Sequence, residues 1–251
     1  MDLEKVLGYG YAIPWCLSIY PSLFKNWRQK SASAISVDFL IINIVGYVCL
    51  TSAIFLQLFC WQETNDENEP LRPTVTQFDL WYCVHSLVMN GVLASQLLYG
   101  KRLWSFQTAG VVRMKILYKR ILRATLAIIA ISLIPFCVRL FNENLSNTNT
   151  LALCNRLIAL KILMSLIKYF PQVKHNYERK KMRDFPMLCV VLDVFGSICS
   201  IAQLIVKLKQ VGEPSIAAAA TSNFGKIGIA CVTLLFNFIY VSQWLVYRGH
   251  E

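Results

Sequence analysis

Seven apolar runs divide this chain, and each is close to the roughly 20 residues that a helix needs to cross a bilayer. Hydrophobic residues make up 56% of the sequence, which is too many for an ordinary soluble domain. The sequence therefore predicts an all-α, polytopic membrane protein with seven transmembrane helices. The predicted runs cover residues 5–24, 37–60, 78–100, 121–141, 151–173, 187–207 and 224–247.

Lysine and arginine are concentrated in the loops after the first, third and fifth runs. By the positive-inside rule these loops and the C-terminus are cytosolic, and the N-terminus is lumenal or extracellular. The formal charge of +11 then reflects membrane orientation and contact with anionic lipid headgroups, and nucleic acid is not an expected partner. Asn144 begins a weak glycosylation sequon in a predicted lumenal loop.

A shift of 150 residues aligns two parts of the chain without a gap. The aligned pairs are Pro21 with Pro171, Asn26 with Asn176, Lys30 with Lys180, Asn43 with Asp193, and Gly46 with Gly196. A repeat at this distance predicts two related halves, and parallel repeats in transporters flank a central site. We expect a first three-helix bundle in residues 1–100, a basic cytosolic loop and linker helix in 101–150, and a second three-helix bundle in 151–251.

Lys161, Lys168 and Asp193 are charged residues inside predicted spans. Lys161 and Lys168 are seven residues apart, within roughly 20° on one helix face and about 10 Å apart along the axis, and Asp193 lies in an otherwise uncharged run. Charges at such depth indicate a substrate or proton pathway. The alternatives are a structural ion pair for Asp193 and a Lys168 side chain that reaches the cytosolic interface.

Asp79 is a second candidate for proton binding, although it lies near the start of its helix. A solvated first-turn carboxylate, favoured by the helix dipole, is the alternative for this residue. Pro21, Pro171 and Gln172 are candidate hinge residues, because proline removes an amide donor and they occupy equivalent places in the two halves.

No enzyme, cofactor or metal motif stands out. The nine cysteines include no Cys-x-x-Cys spacing, and most of them fall in apolar runs, where a small buried hydrophobe is the simplest interpretation. We therefore expect a transporter that is not an enzyme, without a metal site or a cofactor, in contact with the lipid bilayer.

The blocks around Tyr20-Pro21 and Tyr169-Phe170-Pro171-Gln172 resemble the PQ-loop repeats of the cystinosin family, and the fungal members most of all. Further matches extend over nearly the whole chain: Asn26-Trp27-Arg28, Asp38-Phe39, Asn43, Gly46, Phe78-Asp79, His85, Lys161, Lys168, Asn176, Asp193, Gly196, Phe224-Gly225-Lys226 and Gln243. The resemblance implies a 3+1+3 arrangement of helices, as in the SWEET transporters.

The resemblance also implies a function. It is export of L-cystine, coupled to protons, from the lysosome or vacuole to the cytosol by alternating access. Asp193 and Asp79 are then the proton-coupling residues. The expected substrate-binding residues, which combine cations with hydrogen-bonding amides, are Lys161, Lys168, Asn176, Lys226, Asn43 and Asn26.

Two departures from the family pattern keep alternatives open. Ser22 replaces the glutamine of the first PQ pair, and Cys189 stands where related chains often have asparagine. The second departure leaves open a PQ-loop exporter of cationic or other amino acids. A receptor or sorting protein with seven helices that binds cargo without transporting it is a further alternative, because the predicted topology is also that of receptors.

Overall fold

The computed structural model describes residues 3–32, 36–63, 70–107, 113–143, 146–180, 187–210 and 215–247. At positions 142–143, 170–172, 174–176 and 178–179 only the backbone is described. The described residues form nine helices: α1 (Leu3–Leu17), α2 (Tyr20–Gln29), α3 (Val37–Phe59), α4 (Gln77–Leu103), α5 (Ile116–Glu143), α6 (Asn147–Arg179), α7 (Met187–Gln210), α8 (Ile216–Ser222) and α9 (Phe224–Tyr247).

Five of these helices are long and apolar enough to cross a membrane. They contain the spans Val37–Phe59, Ile116–Phe141, Asn147–Tyr169, Met187–Gln210 and Phe224–Tyr247, with a mean hydropathy between 1.7 and 2.3. These spans coincide with the second, fourth, fifth, sixth and seventh apolar runs. The first and third runs correspond to α1 with α2 and to α4, and their crossing of the membrane stays a prediction.

The first predicted run is not one helix. The chain turns at Ser18 and Ile19, so that α1 ends before the turn and α2 begins after it. Pro14 lies within α1, whereas Pro21 lies in the first turn of α2. Proline is favoured at a helix start because the first amides have no partner within the helix. Pro21 therefore lies just beyond a break between two helices.

The corresponding break in the second half is absent from the backbone. α6 continues through positions 171 and 172, contrary to the interruption that the sequence suggested at Pro171. A proline in a membrane helix can be accommodated when neighbouring helices compensate the lost hydrogen bond. The two halves therefore differ at this point, and hinge motion at Pro21, Pro171 or Gln172 stays a prediction.

Helix packing follows the internal repeat. The 150-residue shift places α1 on α6, α3 on α7, and α4 on α9. Under this shift, the contact of α1 with α7 corresponds to the contact of α3 with α6. The contact of α3 with α4 corresponds to that of α7 with α9, and the contact of α1 with α4 to that of α6 with α9. α5 packs mainly on α6 and is largely exposed. The most extensive contacts thus join helices from opposite halves of the chain.

Gly196 allows α1 and α7 to approach closely. A Cβ atom added at Gly196 would lie 2.8 Å from Cδ1 and Nε1 of Trp15. The Trp15 ring is buried against the rings of Tyr11 and Tyr82, so it has little room to move.

We expect Gly196→Ala to destabilise the protein by roughly 1–3 kcal/mol, because overpacking displaces a ring held on several sides. Thermal unfolding in detergent measures the change. Gly91→Ala is the matched control, since a Cβ atom at this position in α4 meets nothing within 4 Å. Equal melting temperatures for the two variants would contradict the close α1–α7 contact.

Candidate functional site

Lys168 is held by an amide chain that crosses three helices. Its Nζ donates to Oδ1 of Asn43 at 3.1 Å, and Nδ2 of Asn43 donates to Oδ1 of Asn90 at 2.7 Å. The Asn90 amide donates in turn to the carbonyl of Ser86 at 2.7 Å. The chain fixes the ammonium between α6 and α3, where it lies 4.9 Å from the ring centroid of Tyr169. Lys168 therefore points into the interface between α6 and α3.

Lys161 is the most deeply buried lysine of the predicted site, with 3% of the residue exposed. Its Nζ lies 3.5 Å from the ring centroid of Tyr47, whose hydroxyl is 2.9 Å from the hydroxyl of Tyr82. Among the described residues, no carboxylate lies within 4.0 Å of this ammonium. The ring face offers partial compensation of the charge through a cation–π interaction. Lys161 thus has an aromatic ring and no carboxylate against its ammonium among the described residues.

Asp193 is the seventh residue of α7, is half-buried, and belongs to the helix that packs on α1. Nε1 of Trp15 donates to its backbone carbonyl at 3.3 Å. No cation of the described residues approaches its carboxylate within 4.0 Å. A contact ion pair, the alternative considered for Asp193, is therefore not formed in this conformation.

Asp79 lies at the first turn of α4 and is 8% exposed, so it is not the solvated carboxylate that was the alternative for this position. One oxygen closes a capping box, accepting from the Thr76 amide at 2.7 Å and from its hydroxyl at 2.8 Å. The other oxygen accepts from the Tyr11 hydroxyl at 2.9 Å and lies 3.5 Å from Nζ of Lys226. Both oxygens of Asp79 are thus engaged.

Lys226 links this carboxylate to α7. Its Nζ donates to Oε1 of Gln203 at 2.6 Å and lies 4.9 Å from the ring centroid of Tyr11. Asp79, Lys226, Tyr11 and Gln203, which we call the Asp79 cluster, connect α4, α9, α1 and α7. The cluster is built from both halves of the chain.

A small cavity lies beside the Asp79 cluster. Asp79 and Lys226 place opposite charges on its wall, and the Ser200 hydroxyl is buried there without a hydrogen-bond partner among the described residues. The remaining polar residues of the wall include Gln57, Tyr82, Cys83, Ser222 and Asn223. The wall of the cavity thus combines apolar surface with one pair of opposite charges.

The structure places the other predicted residues as follows. Asn26 is buried on α2, and its Nδ2 donates to Oε1 of Gln96 at 2.9 Å. This contact is with α4 and not with the lysines of α6. The side chains of Asn176, Pro171 and Gln172 are outside the described residues, as is the whole of Asn144. The structure therefore brings together Lys168 with Asn43, and Lys226 with Asp79.

Several residues of the site escaped the sequence analysis. Tyr11 and Tyr47 contact charged groups, and the Tyr82 hydroxyl is hydrogen-bonded to that of Tyr47. Gln57 and Asn90 are buried polar residues in apolar helices. Buried amides inside a predicted span were a usable signal, since polar groups there are costly unless they serve a purpose. The tyrosines gave no such signal, because tyrosine is common near the ends of membrane helices.

Comparison with known proteins gives the family. The model of the PQ loop repeat matches residues 3–63 and 153–211, one block in each half. The cystine transporter of Saccharomyces cerevisiae is 48% identical over 253 residues, covering 100% of this chain and 97% of its own. The chain belongs to the cystinosin family. The cystinosin homolog of Dictyostelium discoideum is 26% identical over 98% of the chain, and the cystinosin of Bos taurus is 24% identical over 98% of the chain and 64% of its own.

Membership in the cystinosin family agrees with the structure in two ways. The two PQ-loop matches cover α1 to α3 and most of α6 and α7, the helices that the 150-residue shift superimposes. The relatives carry names of transporters and not of enzymes, in line with the prediction for this chain. With its apolar helices, the chain is a multi-pass membrane protein of a transporter family.

Proposed function

We propose that this protein moves L-cystine, together with protons, from the vacuolar or lysosomal lumen to the cytosol by alternating access. The observation that carries the proposal is the set of three charged residues in the helix interior, Lys161, Lys168 and Asp193, none of which has an oppositely charged partner within 4.0 Å among the described residues. Charged residues that lie inside a membrane protein without an oppositely charged partner can bind the charged groups of a substrate. The Saccharomyces relative is named a cystine transporter, which supports the choice of substrate.

Cystine carries two carboxylates and two ammonium groups. Its site therefore needs cations for the carboxylates and hydrogen-bond acceptors for the ammonium groups. Lys161 and Lys168 are suited to bind the carboxylates. The carbonyl oxygen of Asn43 already accepts a hydrogen bond from an ammonium group, that of Lys168. Asn176 and Asn26 are proposed to complete the hydrogen bonds on the way to the cytosol. A neutral sugar would leave the buried lysines without partners, which disfavours that substrate.

The cavity beside the Asp79 cluster offers a second pair of opposite charges. We assign it to the entry of substrate, with Lys226 meeting a carboxylate group. Protonation of Asp79 would remove its attraction for Lys226 and free the lysine for the substrate. Asp193 would carry the second proton site, since its carboxyl has no contact ion pair to hold it ionised among the described residues.

The architecture that we propose for this cycle has seven spans in a 3+1+3 arrangement. Residues 1–100 and 151–251 form the two bundles, and 101–150 forms the cytosolic loop and linker helix. The N-terminus is proposed to be lumenal, with Asn144 on the same side, and the C-terminus cytosolic. Rocking of the bundles would use the break before Pro21 and the region of Pro171 and Gln172. The equivalence of the α1–α7 and α3–α6 contacts supports this arrangement.

Uptake of labelled cystine into cells that carry the protein in the plasma membrane tests the substrate. We expect cystine uptake that excess unlabelled cystine suppresses and that excess lysine, arginine or glucose does not. Lys161→Met is expected to abolish it, because a buried cation that meets a carboxylate is lost. Lys119→Met, which removes an exposed lysine of α5, is the control and should retain uptake.

Two outcomes would redirect the proposal. Inhibition of cystine uptake by lysine or arginine would favour an exporter of cationic amino acids, the alternative that Cys189 raised. A correctly folded protein at the cell surface that takes up no cystine would contradict the substrate. Cargo binding without uptake would then support a receptor or sorting protein.

A further inference from the structure

The Lys226 ammonium is held by a glutamine as well as by a carboxylate. Its Nζ donates to Oε1 of Gln203 at 2.6 Å, whereas Oδ1 of Asp79 lies 3.5 Å away. Hydrogen bonds from a charged donor are among the stronger polar contacts in proteins, and the shorter of these two goes to the amide. The place of the ammonium beside the cavity therefore depends on Gln203 at least as much as on Asp79.

The amide of Gln203 has one orientation that satisfies both of its partners. The side chain is completely buried, and its Nε2 donates to the backbone carbonyl of Glu4 at 3.2 Å. A carbonyl can only accept a hydrogen bond and an ammonium can only donate one, so the amide oxygen has to face Lys226. Gln203 thus presents a fixed acceptor to the lysine and joins α1, α7 and α9 at one point.

The start of α1 has a second contact with α7. Oε1 of Glu4 lies 3.1 Å from Nζ of Lys207, about one turn beyond Gln203 on the same helix. Both residues of α7 therefore hold Glu4, but of the two only Gln203 is hydrogen-bonded to Lys226 in the described part of the chain. Substitution of Lys207 can thus report on the α1–α7 contact without removing a partner of Lys226.

The internal repeat contains an equivalent contact without an amide. Under the 150-residue shift, Gln203 aligns with Ala53 and Glu4 aligns with Cys154. The Cys154 thiol donates to the carbonyl of Ala53 at 3.4 Å, and both residues are completely buried. The α3–α6 interface therefore packs with an alanine at the place where the α1–α7 interface has a glutamine. Close packing of these related helices does not by itself require the amide.

The lysine and the glutamine occur together in one half only, since Lys226 aligns with Thr76 under the same shift. We propose that Gln203 is a positioning residue for Lys226. Its amide holds the ammonium beside the cavity, short of a close ion pair with Asp79, where a carboxylate of the substrate can bind it. The inference rests on the proposed transport of cystine, and it adds a residue that acts on the substrate through Lys226.

Loss of the amide oxygen would leave Asp79 as the stronger partner of the ammonium. The flexible side chain of lysine can close the gap of 3.5 Å to a hydrogen-bonded ion pair. A substrate carboxylate would then have to displace the Asp79 carboxylate before it could bind Lys226. We therefore expect weaker binding of cystine, whereas a purely structural role of Gln203 would lower the amount or the stability of the protein and leave the affinity unchanged.

The test is the concentration dependence of labelled cystine uptake in cells with each full-length variant at the surface. Gln203→Met keeps the length of the side chain and should raise KM about tenfold, because a hydrogen bond to a charged group is lost. The maximal rate per molecule at the surface should be retained. Lys207→Met is the matched control, since it loosens the hold on Glu4 and leaves Gln203 with Lys226, and it should keep the KM of the wild type.

A second measurement checks that the effect depends on Asp79. Labelled cystine is bound to the purified proteins in detergent, and Kd is compared for Asp79→Asn with and without Gln203→Met. A carboxamide attracts the ammonium less than a carboxylate does, so Gln203→Met should change Kd by much less than tenfold in this background. The full tenfold loss of affinity in both backgrounds would overturn the positioning role.

The other outcomes separate this inference from the proposed function. An unchanged KM in Gln203→Met, or a KM that rises equally in Lys207→Met, would overturn the role of Gln203 and leave cystine transport intact. A wild-type protein at the surface that takes up no cystine would overturn both. If Gln203→Met does not reach the surface, Gln203→Ala replaces it with the same expected rise in KM, because the equivalent position of α3 is Ala53.

Discussion

Asp193→Asn is expected to abolish the acid stimulation of cystine uptake, so that the ratio of uptake at acidic to neutral external pH falls to about 1. The carboxamide keeps the shape of the side chain and its backbone contacts with Trp15 and Ser197, but it cannot gain or lose a proton. If the proton taken up at Asp193 drives the cycle, residual transport becomes independent of pH. Initial rates of labelled cystine uptake at the two pH values measure the ratio.

The matched control is Asp38→Asn. Asp38 is also buried, with 5% exposed, but its Oδ1 accepts from the backbone amide of Lys115 at 3.0 Å, a role that a carboxamide oxygen can fill. We expect this variant to keep the acid stimulation of the wild type. Undiminished stimulation in Asp193→Asn would show that the coupling carboxylate is elsewhere, and Asp79→Asn would be the next variant to compare.

Lys226→Met is expected to destabilise the fold by about 3 kcal/mol at neutral pH, because it leaves the buried carboxylate of Asp79 without its cation. Both partners are largely inaccessible, with side-chain exposures of 8% for Lys226 and 11% for Asp79. Thermal unfolding in detergent at neutral pH measures the loss.

The double variant Asp79→Asn/Lys226→Met separates charge from packing. It removes both charges, and the carboxamide oxygen that replaces the Asp79 carboxylate would still accept a hydrogen bond from Thr76 at the helix start. We expect most of the lost stability to return, while the cavity loses its pair of opposite charges and uptake stays low. A double variant that is as unstable as Lys226→Met would show that Lys226 contributes through packing and not through its ion pair.

The helices could be predicted from the sequence where hydrophobicity alone defines them. The predicted last run, 224–247, matches α9, and the predicted sixth run begins at Met187 as α7 does. Pro21 indicated an interruption of the first run, but not that the chain would turn at Ser18 and Ile19, since apolar residues continue on both sides and proline is compatible with a kink or with a new helix start. α8 is too short to show a period in the sequence.

The candidate site was predictable in its charged members and in Asn43. Buried charges are rare enough in apolar runs to be conspicuous, as Lys161 and Asp193 were. The contacts of Lys168 with Asn43 and of Lys226 with Asp79 depend on how helices of opposite halves pack, which a linear sequence does not specify. The internal repeat indicated part of this packing, because the 150-residue shift aligns Asn43 with Asp193 and Ser18 with Lys168.

The measurement that tests proton-coupled cystine transport most directly is the electrical current that cystine evokes in cells with this protein at the surface. At acidic external pH, with sodium replaced by an impermeant cation, addition of cystine should produce an inward current that Asp193→Asn removes. The current should decline as the external pH is raised to neutral, because fewer protons are available outside. Cystine uptake without any accompanying current would contradict proton coupling.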